Sequence, residues 1–255
     1  MSAAEKITFL RSTLVRAGLE DTHAQARVAL GHAQADACLH GGLPKGILHE
    51  VFPASGGDEA VAAGFVAVLA ARAAQGKHLF WLRPDFAALE HGELSATGLL
   101  ELGLDPDRFL LLRAPDTASV LRAGFDALSC TALGALIIEI PGTPRILDLS
   151  ASRRLVLSAT QSGVTVFLLR LDAQAEPSAA ETRWLVRAAR SQTNKKDWGY
   201  PRFDAELARN RHGRTGHWVM EWNCDECLFR AADFGAVVST AADRSAAAQS
   251  AQRFA

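Results

Sequence analysis

Two short runs, Ala135-Leu136-Ile137-Ile138 and Val164-Thr165-Val166-Phe167-Leu168-Leu169, are apolar at nearly every position. A strand wetted on one face alternates apolar and polar residues with period two, so an unbroken apolar run demands cover on both faces. Further short apolar runs lie at 47–52, 78–82 and 109–113, and longer stretches with helical spacing separate them at 60–74, 116–129 and 150–162. This alternation predicts an α/β fold with a mainly parallel, doubly wound sheet and helices on both faces.

The flanks have a different texture. Ile7, Leu10 and Leu14 recur at helical spacing and Gly18 stands where a helix would end, which predicts a helix over 5–17. A second helix is expected over 23–38, stopped by Gly41-Gly42 and kept from continuing by Pro44. After Asp172 a polar, proline-containing joint leads to strand-like segments at 183–190, 202–209 and 218–223, read as an antiparallel addition to one sheet edge. The last residues are rich in Ala, Ser and Gln without apolar periodicity and read as a disordered tail. The expected organisation is therefore an N-terminal helical segment (1–42), an α/β core (43–172), a basic β extension (173–235) and a tail (236–255).

The formal charge of −1 over 255 residues supplies no general attraction to nucleic acid or membrane, so such binding needs a local patch. Cys38, Cys130, Cys224 and Cys227 are too few for a disulfide framework, and the first ten residues lack a signal-peptide profile. No apolar stretch reaches the roughly 18–20 residues of a membrane span. A cytoplasmic protein without membrane contact is expected.

Chemistry would be sought first at Pro53-Ala54-Ser55-Gly56-Gly57-Asp58-Glu59-Ala60, which follows a strand and opens an Ala-rich helix. That is the setting of a phosphate-binding loop. Counting from Pro53 as the first glycine of G-x-x-x-x-G-K-[ST] places Asp58 on the second glycine, Glu59 on the lysine and Ala60 on the metal-binding hydroxyl. Two carboxylates in place of a cation reverse the local field, and an alanine cannot ligate magnesium. The loop is degenerate, no nucleotide cofactor is expected, and the two acids read as ordinary helix-start residues. Glu139 ends an apolar strand where a Walker-B acid would stand, with a weak ATPase as the enzymatic alternative and a structural polar role as the plainer one. No catalytic constellation is legible.

The residues Gly42-Leu43-Pro44-Lys45-Gly46-Ile47-Leu48-His49-Glu50-Val51 and Gly98-Leu99-Leu100-Glu101-Leu102-Gly103-Leu104-Asp105-Pro106 are followed by Leu149-Ser150-Ala151-Ser152-Arg153-Arg154-Leu155, Ser162-Gly163-Val164-Thr165 and Ser178-Ala179-Ala180-Glu181-Thr182-Arg183-Trp184. In this order they resemble the inducible mutagenesis protein A (ImuA) family, relatives of the RecA recombinase, over about residues 41–222. The resemblance implies a RecA-like P-loop NTPase fold and a role in damage-induced translesion synthesis, which the degenerate loop at Asp58, Glu59 and Ala60 makes a non-catalytic accessory one. It also implies an ImuB-like Y-family polymerase homologue and an error-prone polymerase III α subunit as partners, with RecA or single-stranded DNA as further contacts. A division inhibitor like SulA is the competing reading.

The surface for such contacts is sought in the basic segment 181–214. There Arg183, Arg187, Arg190, Lys195, Lys196, Arg202, Arg209, Arg211 and Arg214 outnumber four acids, a local charge of +5. Trp184, Trp198, Tyr200 and Phe203 interleave with them, a pattern that suits phosphates and stacked bases and equally an acidic protein surface. Arg153 and Arg154 add a pair at the start of a helix. Cys224 and Cys227 have the spacing of a zinc half-site but lack a second pair, so no metal is expected and structural thiols are the plainer reading.

Overall fold

The computed structural model describes residues 26–191 and 199–232. In chain order the strands are β1 (Arg27–Val28), β2 (Leu43–Pro44), β3 (Leu48–Pro53), β4 (His78–Pro84), β5 (Phe109–Ala114), β6 (Leu133–Pro141), β7 (Thr165–Leu171), β8 (Thr182–Ala188), β9 (Arg202–Asn210), β10 (Gly216–Asn223) and β11 (Leu228–Ala231). The helices are α1 (Ala33–Cys38), α2 (Glu59–Ala74), α3 (Ala87–His91), α4 (Ala96–Glu101), α5 (Thr117–Ala127) and α6 (Leu149–Ser162). Among the described residues β3 to β11 form one sheet in the order β11-β10-β9-β8-β3-β7-β6-β4-β5. From β8 to β5 the neighbours are parallel, and β9, β10 and β11 are antiparallel.

The apolar runs are explained by two cores, one on each face. Ala135 and Ile137 of β6 and Phe167 and Leu169 of β7 pack with α2, while Leu136, Ile138, Val166 and Leu168 pack with α5 and α6. Alternation persists, but both faces are apolar because both are covered. Helix α2 lies across the middle of the sheet, and its alanines let it approach closely. Gly134 is part of that fit, since a Cβ there would stand 2.6 Å from the Ala74 Cα. Asp116 and Asp148 start α5 and α6 by accepting backbone N–H bonds from Ser119 and Ala151, both at 2.7 Å.

Two expectations are corrected. The helix expected over 23–38 is instead β1 followed by the single short helix α1, within the part that is described. Gly31 adopts φ +100, and the Asp36 carboxylate accepts from the backbone N–H groups of Leu30 and Gly31. That local capture folds the chain back so that β1 pairs with β2, and a helical reading of the apolar spacing loses to it. The helix expected over 5–17 lies outside the described residues, as does the tail 236–255.

The second correction concerns the extension. Its first strand, β8, runs parallel to β3 as a full member of the core sheet, and only β9 onward is antiparallel. Trp184 and Val186 of β8, Phe203 of β9, Trp222 of β10 and Phe229 of β11 are buried around Phe65 of α2. Ring centroids there lie 4.9–5.6 Å apart for the pairs Trp222–Phe229, Phe65–Phe203, Phe65–Trp184 and Phe65–Phe229. The described strands of the extension and the core share one hydrophobic interior.

Candidate functional site: a closed nucleotide loop and a basic groove

The loop between β3 and α2 lies at the carboxyl ends of the parallel strands, where open α/β sheets bind ligands. Its own side chains bond within it and to the neighbouring strand. The Glu59 carboxylate accepts from the Gly57 N–H at 2.9 Å, and Ser55 Oγ donates to Asp58 Oδ2 at 2.5 Å. Asp58 Oδ1 accepts the backbone N–H of Ala188 at 3.1 Å, fastening the loop to the end of β8. Asp58 occupies the position before α2, yet its carboxylate makes no bond to the first turn of that helix. Partial burial raises its pKa, but the bonds from Ser55 and Ala188 and the nearby Arg187 outweigh this and hold it below the usual carboxylate value. Pro53, Gly56 and Ala60 complete a loop that presents carboxylates where phosphate oxygens would need N–H groups and a cation.

Glu139 near the end of β6 is committed elsewhere. Its side chain is 3% exposed, and its two oxygens accept from Arg83 Nη2 at 2.9 Å and Trp81 Nε1 at 3.0 Å. Arg83 on β4 donates in turn to the Gly92 carbonyl at 2.9 Å. A carboxylate with both oxygens held by buried donors is poorly placed to orient water. The pair forms the floor of a cleft of about 270 Å³, walled by Glu59, Ala60 and Gly64 of α2 and by residues 91–102. A second depression shares Glu59, Ala60 and His91 and adds Glu90 and Asp172. Sequence reasoning missed Arg83, His91 and Asp172, because each stands alone in the chain and only the crossover topology brings them to this end of the sheet.

The chain is 34% identical over 211 residues to Protein ImuA of Caulobacter vibrioides strain NA1000, an alignment covering 76% of this chain and 82% of that protein, with the same figures for Protein ImuA of strain ATCC 19089. This chain belongs to the ImuA family. No protein-family model matches it. In three dimensions it is similar to the crystal structure of the RadB recombinase, with a TM-score of 0.55, 17% identity, and coverage of 81% of this chain and all of that one. The fold of this ImuA-family chain is accordingly RecA-like.

Of the eleven basic residues singled out in the sequence, the tertiary structure gathers five into two groups. Arg153, Arg209 and Arg211 converge with Leu149, Val156, Leu157 and residues 177–179 on a groove near the amino end of β8. Arg209 Nη1 and Arg211 Nη1 donate to the Ser178 and Ala179 carbonyls, which holds them along its rim. Leu157 is 62% exposed and Leu149 37%. Arg187 and Arg190 lie at the opposite, carboxyl end of β8, with Arg187 3.6 Å from Asp204. Arg214 is exposed on the turn after β9.

Arg183 belongs to neither group. It is ion-paired to buried Glu50 at 2.7 Å, with its side chain only 13% exposed. Arg154 lies over the Phe125 ring at 4.9 Å. Lys195 and Lys196 lie outside the described residues, as does Trp198. The aromatic residues expected to stack on bases are largely withdrawn: Trp184 and Phe203 are in the core, and Tyr200 donates its hydroxyl to Asp225.

Cys224 and Cys227 bracket the turn between β10 and β11. Burial pushes the Cys224 thiol up to about 11 and raises that of Cys227, so both remain protonated near neutrality. Cys227 Sγ donates to the Gly103 carbonyl at 3.4 Å. These contacts fit structural thiols. Among the described residues no helix is long and apolar enough to cross a membrane.

Proposed function

We propose that this chain is a non-catalytic accessory protein of damage-induced mutagenesis, using a RecA-like frame as a docking platform in the assembly of a translesion polymerase complex. Its family membership supports the process. The observation that carries the non-catalytic part is the internal use of the nucleotide loop: Glu59 takes the Gly57 N–H, Asp58 takes the Ala188 N–H, and Arg83 neutralises Glu139.

The contact surface in this reading is the groove of Arg153, Arg209 and Arg211. Cationic heads beside exposed Leu149 and Leu157 suit a segment that is acidic on one side and apolar on the other, supplied by an ImuB-like polymerase homologue or an associated polymerase III α subunit. With Trp184 and Phe203 buried, a protein segment fits better than stacked single-stranded DNA.

The test is capture of partners from cells treated with a DNA-damaging agent, comparing wild type with Arg153→Glu/Arg211→Glu. Truncation after Asp172 would be misleading, because it removes β8 from beside β3. Retention of translesion-polymerase components by wild type and their loss from the folded variant supports the proposal. Equal retention by both places the contact elsewhere, and recovery of division proteins instead favours a SulA-like inhibitor.

A further inference from the structure

Helix α3 ends in Glu90-His91, and the chain leaves β7 at Asp172. These three side chains come from segments some eighty residues apart and meet at the mouth of the cleft. His91 Nε2, a Glu90 carboxylate oxygen and an Asp172 carboxylate oxygen lie within 4.8 Å of one another. Nε2 is 3.8 Å from Glu90 Oε2 and 3.3 Å from Asp172 Oδ2. The imidazole is 7% exposed, while the two carboxylates are 57% and 59% exposed. Despite this proximity, Nε2 is a buried nitrogen with no hydrogen-bond partner among the described residues. A buried ring nitrogen facing two carboxylates, with no bond in hydrogen-bond geometry to either, is arranged as a ligand rather than as a donor.

We propose that Glu90, His91 and Asp172 bind a divalent cation of the first transition series, with zinc or manganese the class their donors fit. One imidazole nitrogen and two carboxylate oxygens suit such ions better than calcium or magnesium, which favour all-oxygen sets. Metal–ligand bonds of about 2.1 Å place neighbouring donors about 3 to 3.5 Å apart, and the observed separations need only small rotations of two exposed side chains to meet that. Asp172 has φ +47, a left-handed backbone state that aspartate tolerates better than most residues other than glycine, and it turns the chain at the end of β7 beside the pair. Glu59 lines the same depression and adds negative charge opposite the three ligands.

The degenerate loop and this cluster then have one electrostatic logic. The end of the sheet that cradles an anion in a phosphate-binding loop here assembles carboxylates and holds a cation. Bound metal ties the end of β7 to α3 and stiffens the segment that walls the cleft. The inference stands whether or not the chain is a polymerase accessory, since it rests on the ligand geometry alone.

The experiment uses the full chain, without a polyhistidine tag, stripped with a chelator and titrated with Co²⁺ and separately with Mn²⁺. One equivalent of Co²⁺ is expected, with visible absorption bands from a nitrogen–oxygen ligand set and no thiolate charge-transfer band. Asp172→Asn and His91→Gln should each weaken binding tenfold or more, whereas Cys224→Ser/Cys227→Ser should leave it unchanged. Asp172 is exposed, so its variant keeps the test valid if replacing the buried histidine perturbs folding. Absence of stoichiometric binding by wild type, or binding that survives Asp172→Asn and follows the cysteines, overturns the assignment.

Discussion

Replacing Glu139 by alanine separates a structural acid from a poised catalytic one. Its carboxylate and the Arg83 guanidinium are 3% and 4% exposed, and the substitution leaves Arg83 with the Gly92 carbonyl as its remaining acceptor. Arg83 Nε already has no partner among the described residues, which offer no spare acceptor. Removing one member of a buried ion pair costs about 3–5 kcal/mol, and Trp81 Nε1 loses its acceptor as well. These terms overlap, so we expect Glu139→Ala to lose about 4 kcal/mol. With a urea dependence of about 2–3 kcal/mol per molar, the unfolding midpoint should fall by about 1.5 M. Arg83→Met/Glu139→Leu removes both charges and should lose less than Glu139→Ala alone, a non-additivity that a double-mutant cycle reads directly. A Glu139→Ala protein within 1 kcal/mol of wild type that loses a nucleotide-dependent activity would refute the structural assignment, since that is how a poised catalytic acid behaves.

Three other outcomes follow from the geometry. His49 is wholly buried, its Nδ1 at 2.8 Å from Thr182 Oγ1 and its Nε2 at 2.9 Å from the Pro44 carbonyl, and burial lowers its pKa to about 4. Because the unfolded chain takes up this proton near pH 6.5 and the folded one does not, stability is full above that pH. It falls by about 3 kcal/mol as the pH drops toward 4; His49→Gln should flatten this part of the urea-midpoint profile, and an unchanged slope would count against the buried neutral ring. Gly103→Ala places a Cβ 2.0 Å from the Cys224 carbonyl at φ +72 and should cost at least about 2 kcal/mol, whereas Gly57→Ala meets open space and should cost about 1 kcal/mol, both read by chemical denaturation. ATP with magnesium should leave the thermal midpoint unmoved up to millimolar concentration; a ligand at a hundred times its Kd would add about 2.7 kcal/mol and be plainly visible.

The sheet's class was legible because burial on both faces writes itself into every position of a strand. The uninterrupted runs of β6 and β7 could satisfy only a covered, parallel arrangement, and the structure delivers α2 on one side and α5 and α6 on the other. The departure of Asp58, Glu59 and Ala60 from a phosphate-binding pattern is a reading of the sequence alone, made from their offsets after the strand. The segment 26–38 misled because a short local bond set, Asp36 to the Leu30 and Gly31 amides, overrides apolar spacing over so few residues.

What the sequence determined by itself was therefore what depends on local period and residue order: the α/β class and the family to which the chain belongs. Tertiary structure alone decided which charges are used and which are presented. Basic residues clustered along the chain were divided between the two ends of β8, because the strand carries Arg187 to its far end while antiparallel β9 returns Arg209 to its near one. Trp184 and Phe203, suited by type to stacking on bases, became core because β8 and β9 bury alternate residues against α2. The meeting of Glu90-His91 with Asp172 needed the crossover that sets β4 and β7 on either side of β6, a juxtaposition no spacing along the chain records.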